Sequence, residues 1–259
     1  MINLKKYTTH VQRFVLFLTI TSLIACSSTG LRNTKIEAKK NAITADLTEE
    51  QKIEDFIAPY RNHINKDLDN VLAYAPETFD KSKGKWQTNI GNLLADATFE
   101  RADKIFYTRE GKHVNVCLLN HGGIRAIIPK GDVTTKTAYD IMPFENSTVV
   151  IALKGEQLKE MADYIAVERK PHPLSGMLIT LDTNGLVKNV TVQGKPLDLS
   201  QTYYVATSDY LSGGGDRMNF FLTNTGSYSL DYKLRNLFID YFKETDTLPV
   251  STTQRIITE

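Results

Sequence analysis

An α+β fold, with mixed β-sheets covered by helices, is predicted by three features of the sequence. Short apolar runs rich in Val, Ile and Leu are interspersed with segments of helical period, without the strict alternation that an all-parallel sheet shows. Asn184-Gly185 and Gln193-Gly194 lie between strand-like runs as hairpin turns. At 259 residues and 41% hydrophobic, the chain has enough apolar material for a substantial core.

Thr48 and Gln51 have the spacing of a capping box, and Ile53, Phe56, Ile57, Tyr60, Ile64 and Leu68 follow at helical spacing. A first helix is therefore expected over residues 48–68. Residues 71–75 alternate as a strand, and the polar loop 76–84 ends it. Ile90, Leu93, Leu94 and Ala97 mark a second helix, with Asn89 as its cap. Residues 104–107 and 114–119 read as strands, and 149–153 as another. Over residues 155–169, Leu158, Met161, Ala162 and Ile165 share one helical face. Strands follow at 177–181, 187–192 and 203–207. Leu230, Leu234, Leu237, Phe238 and Tyr241 predict a last amphipathic helix, and residues 255–258 close a sheet edge.

At the N-terminus, Lys5, Lys6 and Arg13 precede the apolar run 14–20, and Leu23-Ile24-Ala25-Cys26 follows. This order reads as a secretory signal over residues 1–25, too short for a spanning helix. Its last four residues resemble the lipobox of bacterial lipoproteins. That resemblance implies cleavage before Cys26, lipid on its thiol and anchoring to a membrane of the bacterial envelope, with Ser27 pointing to the outer membrane. The plainer alternative is a secreted protein in which Cys26 is incidental. Residues 26–46, polar and without period, read as a flexible tether, which leaves 47–259 as the folded domain. Cys117, inside Val116-Cys117-Leu118, reads as a small core residue, so no disulfide framework is expected. A net charge of +1 supplies no electrostatic reason for a nucleic-acid partner.

Several chemistries lack their residues. The histidines are His10, His63, His113, His121 and His172, and no two have ligand spacing on a helix or strand. Asn120-His121 has the start of the Asn-His-acid element of metallophosphatases, but Gly122 stands where the acid belongs. Neither a Gly-x-Ser-x-Gly turn nor a phosphate-binding loop ending in Gly-Lys-Ser/Thr occurs.

Recognition chemistry remains, at two strand ends. In residues 118–125 an apolar run hands over to Asn120, His121, Gly122, Gly123 and Arg125. Two glycines let backbone approach a ligand, and Arg125 offers a bidentate fork to phosphate or ribose oxygens. In residues 207–216 a second strand ends in Tyr210, then Gly213-Gly214-Gly215, then Asp216, an acceptor pair suited to vicinal hydroxyls. Phe144, after Pro143, is a further aromatic at a loop edge. A flat base between two such rings gains roughly 1–3 kcal/mol per stacking contact. Taken singly, Phe144 and Tyr210 read as readily as core aromatics, Arg125 as a surface ion-pair residue and Asp216 as a turn cap. Their grouping beside two glycine loops makes a ligand site the more economical account.

Four motifs then occur in order: residues 89–97 (Asn-Ile-Gly-Asn-Leu-Leu-Ala-Asp-Ala), 119–125 (Leu-Asn-His-Gly-Gly-Ile-Arg), 142–146 (Met-Pro-Phe-Glu-Asn) and 210–216 (Tyr-Leu-Ser-Gly-Gly-Gly-Asp). Together they resemble the C-terminal domain of the 5′-nucleotidase and UDP-sugar hydrolase family over about residues 70–259. The resemblance implies that this domain binds the nucleoside part of a substrate, while a separate calcineurin-like domain carries two metal ions and hydrolyses the phosphate ester. It further implies that Phe144 and Tyr210 sandwich the base, Asn120 contacts the base edge, Asp216 holds ribose hydroxyls and Arg125 reaches ribose or phosphate. Asn92 and Asp96 belong to a matching motif and read as structural.

The chain departs from the family pattern in three places. His121 stands where a third glycine is frequent, and Tyr210 where phenylalanine is. An arginine usual before the Gly-Asn-Leu motif gives way to Lys81-Ser82-Lys83-Gly84-Lys85-Trp86-Gln87, so a phosphate contact falls to Lys83 or Lys85. The metal domain has no counterpart here, and the signal sequence lies directly upstream of the tether. The expectation is therefore the nucleotide-binding half of a split phosphohydrolase, with no cofactor of its own. Divalent metals then belong to a separate metallophosphatase subunit. The alternative is a stand-alone nucleotide or nucleoside-binding lipoprotein of the envelope.

Overall fold

In a computed structural model, residues 4–24, 33, 35–44 and 46–259 of the protein are described. Cys26, the expected lipid attachment point, lies outside the described residues. The chain divides into two units, residues 1–53 and 54–259. In the first, helix α1 runs from Leu4–Ile24, and no helix among the described residues is long and apolar enough to cross a membrane. Helix α2, Gln51–Leu68, begins three residues later than the Thr48 spacing predicted and continues into the second unit.

The second unit opens with strand β1 (Val71–Ala75), and the loop after it leads into α3 (Asn89–Glu110). Thr88, not Asn89, caps α3, its hydroxyl accepting the Gly91 N–H at 3.0 Å. Asn89 instead accepts the Asp80 N–H at 2.8 Å and ties the loop to the helix start. Residues 104–107, read above as a strand, are the last turns of α3. The aromatic run there has β propensity, but Ala102 and Phe106 extend the buried face of Ile90, Leu94 and Thr98 at four-residue spacing, and that packing decides. Gly111, at φ 65°, ends the helix by donating its N–H to the Tyr107 carbonyl.

There follow β2 (Val116–Leu118), a single 3-10 turn at His121–Gly123, β3 (Gly131–Thr134), α4 (Thr135–Ile141), β4 (Ser147–Lys154) and α5 (Gly155–Glu168). The remainder is β5 (Leu174–Ser175), β6 (Met177–Leu181), β7 (Val187–Val192), β8 (Lys195–Pro196), β9 (Thr202–Ser208), α6 (Asp209–Ser212), β10 (Gly226–Lys233), α7 (Leu234–Glu244) and β11 (Ile256–Thr258). Leu230, placed above in the last helix, instead lies in β10, within a bulge between the stretches 226–229 and 232–233 that pair with β4; α7 starts at Leu234.

The principal sheet has the order β10-β4-β9-β2-β5 and is mixed, β2 lying parallel to β9 and β4 antiparallel to it. Alternation along the strands splits its side chains between two cores. Cys117, Val150 and Ala206 face a core completed by α3 and α7, with Phe106, Leu237 and Phe238. Val116, Leu118, Val149, Ile151 and Val205 face a second core completed by α5 and a four-stranded sheet of order β11-β6-β7-β8. Cys117 is fully buried, and burial pushes its thiol pKa up, as expected of a core residue. β11 is an edge strand, pairing in parallel with β6.

Candidate functional site

Val116 and Cys117 of β2 pair with Val205 and Ala206 of β9, while Thr148, at the start of β4, pairs with Ser208. The C-terminal ends of β2 and β9 and the N-terminal end of β4 therefore lie side by side, and each continues into a loop.

After β2 the chain closes a short turn in which the Gly123 N–H reaches the Asn120 carbonyl at 3.0 Å. The Asn120 side chain folds back over the turn. A Cβ on Gly123 would stand 2.7 Å from its Oδ1, so a side chain there would displace the Asn120 amide from this position. The Arg125 N–H donates to the Ile141 carbonyl at 2.9 Å, which fixes where the guanidinium leaves the backbone.

The second loop, residues 143–146, precedes β4 and presents Phe144. Arg235 of α7 holds it from behind. Its guanidinium donates to the carbonyl of Pro143 at 3.3 Å, pairs with the Glu145 carboxylate, and lies 4.2 Å from the Tyr139 ring centre. This pairing holds the Glu145 carboxyl below the ordinary range.

The third loop follows β9. Ser208 caps α6 and Tyr210 lies in its first turn, after which Gly215 lies so close to the Tyr210 ring that a Cβ on it would come within 2.6 Å. Asp216 follows in a left-handed conformation, φ 52°, which Asp tolerates.

Asp216 joins the first and third loops. One carboxylate oxygen accepts from Asn120 Nδ2 at 2.7 Å and the other from the Tyr210 hydroxyl at 2.9 Å, while its carbonyl accepts from the Tyr164 hydroxyl at 2.8 Å. The tyrosine at 210 thus adds a bond that phenylalanine lacks. Arg125 sits at the rim, its guanidinium carbon 5.9 Å from the Phe144 ring centre and Nη1 3.4 Å from the Gly122 carbonyl. Together these residues line a cleft of about 370 Å³, whose wall comprises Asn120, Gly122, Gly123, Arg125, Phe144, Asn146, Tyr210 and Asp216. All five residues singled out in the sequence therefore meet at one place, and both aromatic rings are half-exposed into it.

Lys85 and Trp86, by contrast, line a different cleft with Arg169 and Asp182. Lys81 of that segment reaches the residue after the glycine turn, its Nζ donating to the Ile124 carbonyl at 2.5 Å. The expectation for Lys85 is corrected accordingly. A loop's direction depends on its anchor, here Asn89 holding the Asp80 N–H, and spacing along the chain does not report it.

Behind the first loop, the His121 N–H donates to Nδ1 of His172 at 3.3 Å. His172 is 3% exposed, and burial, reinforced by His121, lowers its pKa to about 4. An unfolded histidine titrates near 6.5, so the unfolded chain takes the proton first. The native state carries no penalty above pH 6.5 and an increasing one as pH falls toward 4. Urea unfolding across that window is expected to show a loss of about 3 kcal/mol, flattened in His172→Asn, which retains an acceptor for the His121 N–H. Among the described residues, no three His, Cys, Asp or Glu side chains meet in a way that would hold a metal ion.

The family model described as "5'-nucleotidase, C-terminal domain" matches residues 70–223, which spans all three loops. The chain is 30% identical over 187 residues to a 5'-nucleotidase of Vibrio vulnificus, covering 67% of this chain and 31% of that one. It is 35% identical over 145 residues to the protein UshA of Yersinia enterocolitica, covering 53% of this chain and 24% of that protein. Among solved structures, a 5'-nucleotidase precursor from Thermus thermophilus superposes with a TM-score of 0.67 at 25% identity, over 81% of this chain and 43% of the other. The chain thus spans less than half the length of each of these relatives. With the matched region enclosing every residue of the cleft, the chain belongs to the family of 5′-nucleotidase C-terminal domains.

Proposed function

We propose that the cleft binds the nucleoside part of a nucleotide, and that the chain is the nucleotide-binding half of a split 5′-nucleotidase-type phosphohydrolase in nucleotide catabolism. The observation that carries this is the convergence on Asp216. A carboxylate held by Asn120 and Tyr210 keeps acceptor lone pairs for two ribose hydroxyls, beside two half-exposed rings for a base and a guanidinium for an anion. In this reading the base lies against Phe144 and Tyr210, Asn120 meets the base edge, and Arg125 takes a ribose or phosphate oxygen. Lys81 supplies positive charge near the glycine turn without the fork of an arginine.

The chain's own groups bind and orient. Hydrolysis is assigned to a separate calcineurin-like metallophosphatase subunit, which would bring the divalent metals. Support comes from the matched region, which is the C-terminal domain of relatives more than twice as long. Tethering through lipid on Cys26 would hold the protein at the bacterial envelope, on the outer membrane.

Calorimetric titration of the purified chain with AMP and adenosine is expected to show saturable binding of both, with weaker binding in Tyr210→Ala. The chain alone is expected to leave AMP intact when divalent metal is added. Full hydrolysis by the pure chain would overturn the division of labour, and calorimetric silence for both ligands would overturn the binding assignment.

A further inference from the structure

Helix α2 is 18 residues long, and none of its residues is buried. Its apolar side chains nevertheless form a stripe: Ile53 is 58% exposed, Phe56 71%, Tyr60 63% and Ile64 54%, with Ile57 half-buried between them. Most helical stability in proteins comes from packing of an amphipathic face, and Pro59 inside α2 removes an internal hydrogen bond. A helix so built needs a partner along its stripe.

The charges beside the stripe indicate which partner. At 100° per residue, Glu54 and Arg61 project on the same flank of the stripe, two turns apart. They bond each other, with Arg61 Nη1 2.7 Å and Nη2 3.2 Å from the two carboxylate oxygens. Two copies of α2 packed antiparallel about a twofold axis bring like flanks together with the chain direction reversed. A register setting Ile53 against Ile64 of the other copy, and Ile57 against Tyr60, leaves Glu54 only about 3 Å along the axis from the other copy's Arg61 at 1.5 Å rise per residue. Stripe and flank are then self-complementary in one arrangement. Parallel pairing loses this, because it sets unlike flanks together.

We propose that the protein forms a homodimer through an antiparallel pair of α2 helices, with Ile53, Ile57, Tyr60 and Ile64 as its seam and two Glu54–Arg61 pairs exchanged between copies. A single helix pair is a small interface beside the roughly 1,200 Å² at the low end of stable complexes, so reversing one flanking charge suffices to break it.

The test co-expresses full-length chains carrying two different affinity tags, solubilises them in mild detergent and asks whether one tag retrieves the other. Wild-type chains are expected to co-purify. Glu54→Arg chains are not expected to pair among themselves, nor are Arg61→Glu chains, with at least a tenfold loss of retrieval in each case. Mixing Glu54→Arg chains with Arg61→Glu chains is expected to restore retrieval. Neither variant can rebuild the pair within its own helix, since one carries two arginines and the other two glutamates, so recovery reports pairing between chains alone. Ile64→Asp is expected to abolish retrieval while leaving the melting temperature of the folded unit unchanged.

Wild-type chains that do not retrieve each other would overturn the proposal and leave the stripe to a different protein. Retrieval indifferent to the charge variants, or unrestored in the mixture, would overturn the antiparallel pairing. None of these readouts involves nucleotide, so failure here is separate from failure of the binding assignment.

Discussion

Replacing Asp216 with alanine is expected to weaken adenosine binding by a hundredfold or more while leaving the fold intact. The carboxylate is exposed, so its loss leaves the Tyr210 hydroxyl and the Asn120 amide to water, and the cost to stability is confined to the roughly 1–2 kcal/mol of an alanine held at φ 52°. In the complex the same carboxylate accepts from two ribose hydroxyls. Hydrogen bonds to a charged group are worth about 1.5–3 kcal/mol each, and two of them exceed a hundredfold. Calorimetry with adenosine and 2′-deoxyadenosine checks the assignment. The wild type is expected to discriminate between them, and the variant to bind both equally and weakly. Tyr210→Phe keeps the stacking face but removes the bond that aims the carboxylate, so a smaller loss, about tenfold, is expected. Equal affinities for wild type and Asp216→Ala would show that the carboxylate does not meet the sugar.

The largest expected loss of stability lies away from the cleft, at Arg255. This residue is 6% exposed, and its guanidinium donates to the two Asp96 carboxylate oxygens at 2.9 and 2.6 Å, and also to the Leu174 carbonyl and to Ser251 Oγ. The Ser175 hydroxyl adds a third bond to Asp96, at 2.6 Å. One side chain thus joins the segment leading into β11 to α3 and β5. Breaking a buried pair by removing one partner costs about 3–5 kcal/mol. Asp96 keeps some contact with water, its side chain being 38% exposed, so the lower end applies. For a unit of this size Arg255→Ala is then expected to lower the melting temperature by roughly 10 °C. Replacing both partners, Arg255→Met with Asp96→Leu, is expected to recover part of that loss, because no charge is left unpaired. A variant that melts within a degree or two of wild type would show that Arg255 contributes no net stabilisation.

Both predictions turn on bonds between residues far apart in sequence, and this separates what was legible from what was not. Local pattern was enough for the strands at 71–75, 177–181, 187–192 and 203–207, because two-residue alternation and the turns between them are properties of neighbours. It was equally enough to mark Asn120, Arg125, Phe144, Tyr210 and Asp216, since glycines, an arginine and aromatics at strand ends stand out from an apolar background. It failed at 104–107, where an aromatic run resembling a strand continues a helical face whose partners are Tyr204 and Tyr228. It also failed at Leu230, which β10 carries through a bulge between two stretches paired with β4, so that partners distant in sequence decide between strand and helix.

By itself, the sequence determined the fold class and the identity of the residues around the cleft, because these rest on short-range periodicity and on residue types, while the family followed from the resemblance of four ordered motifs. Only the tertiary structure decided how those residues act on one another. Asn120 and Asp216 are 96 positions apart and meet at 2.7 Å, Arg235 reaches back to the loop that presents Phe144, and Lys85 turns away to a second cleft. The exposed stripe of α2 belongs with these: its spacing is plain in the sequence, but whether such a stripe is covered depends on what the rest of the chain packs against it.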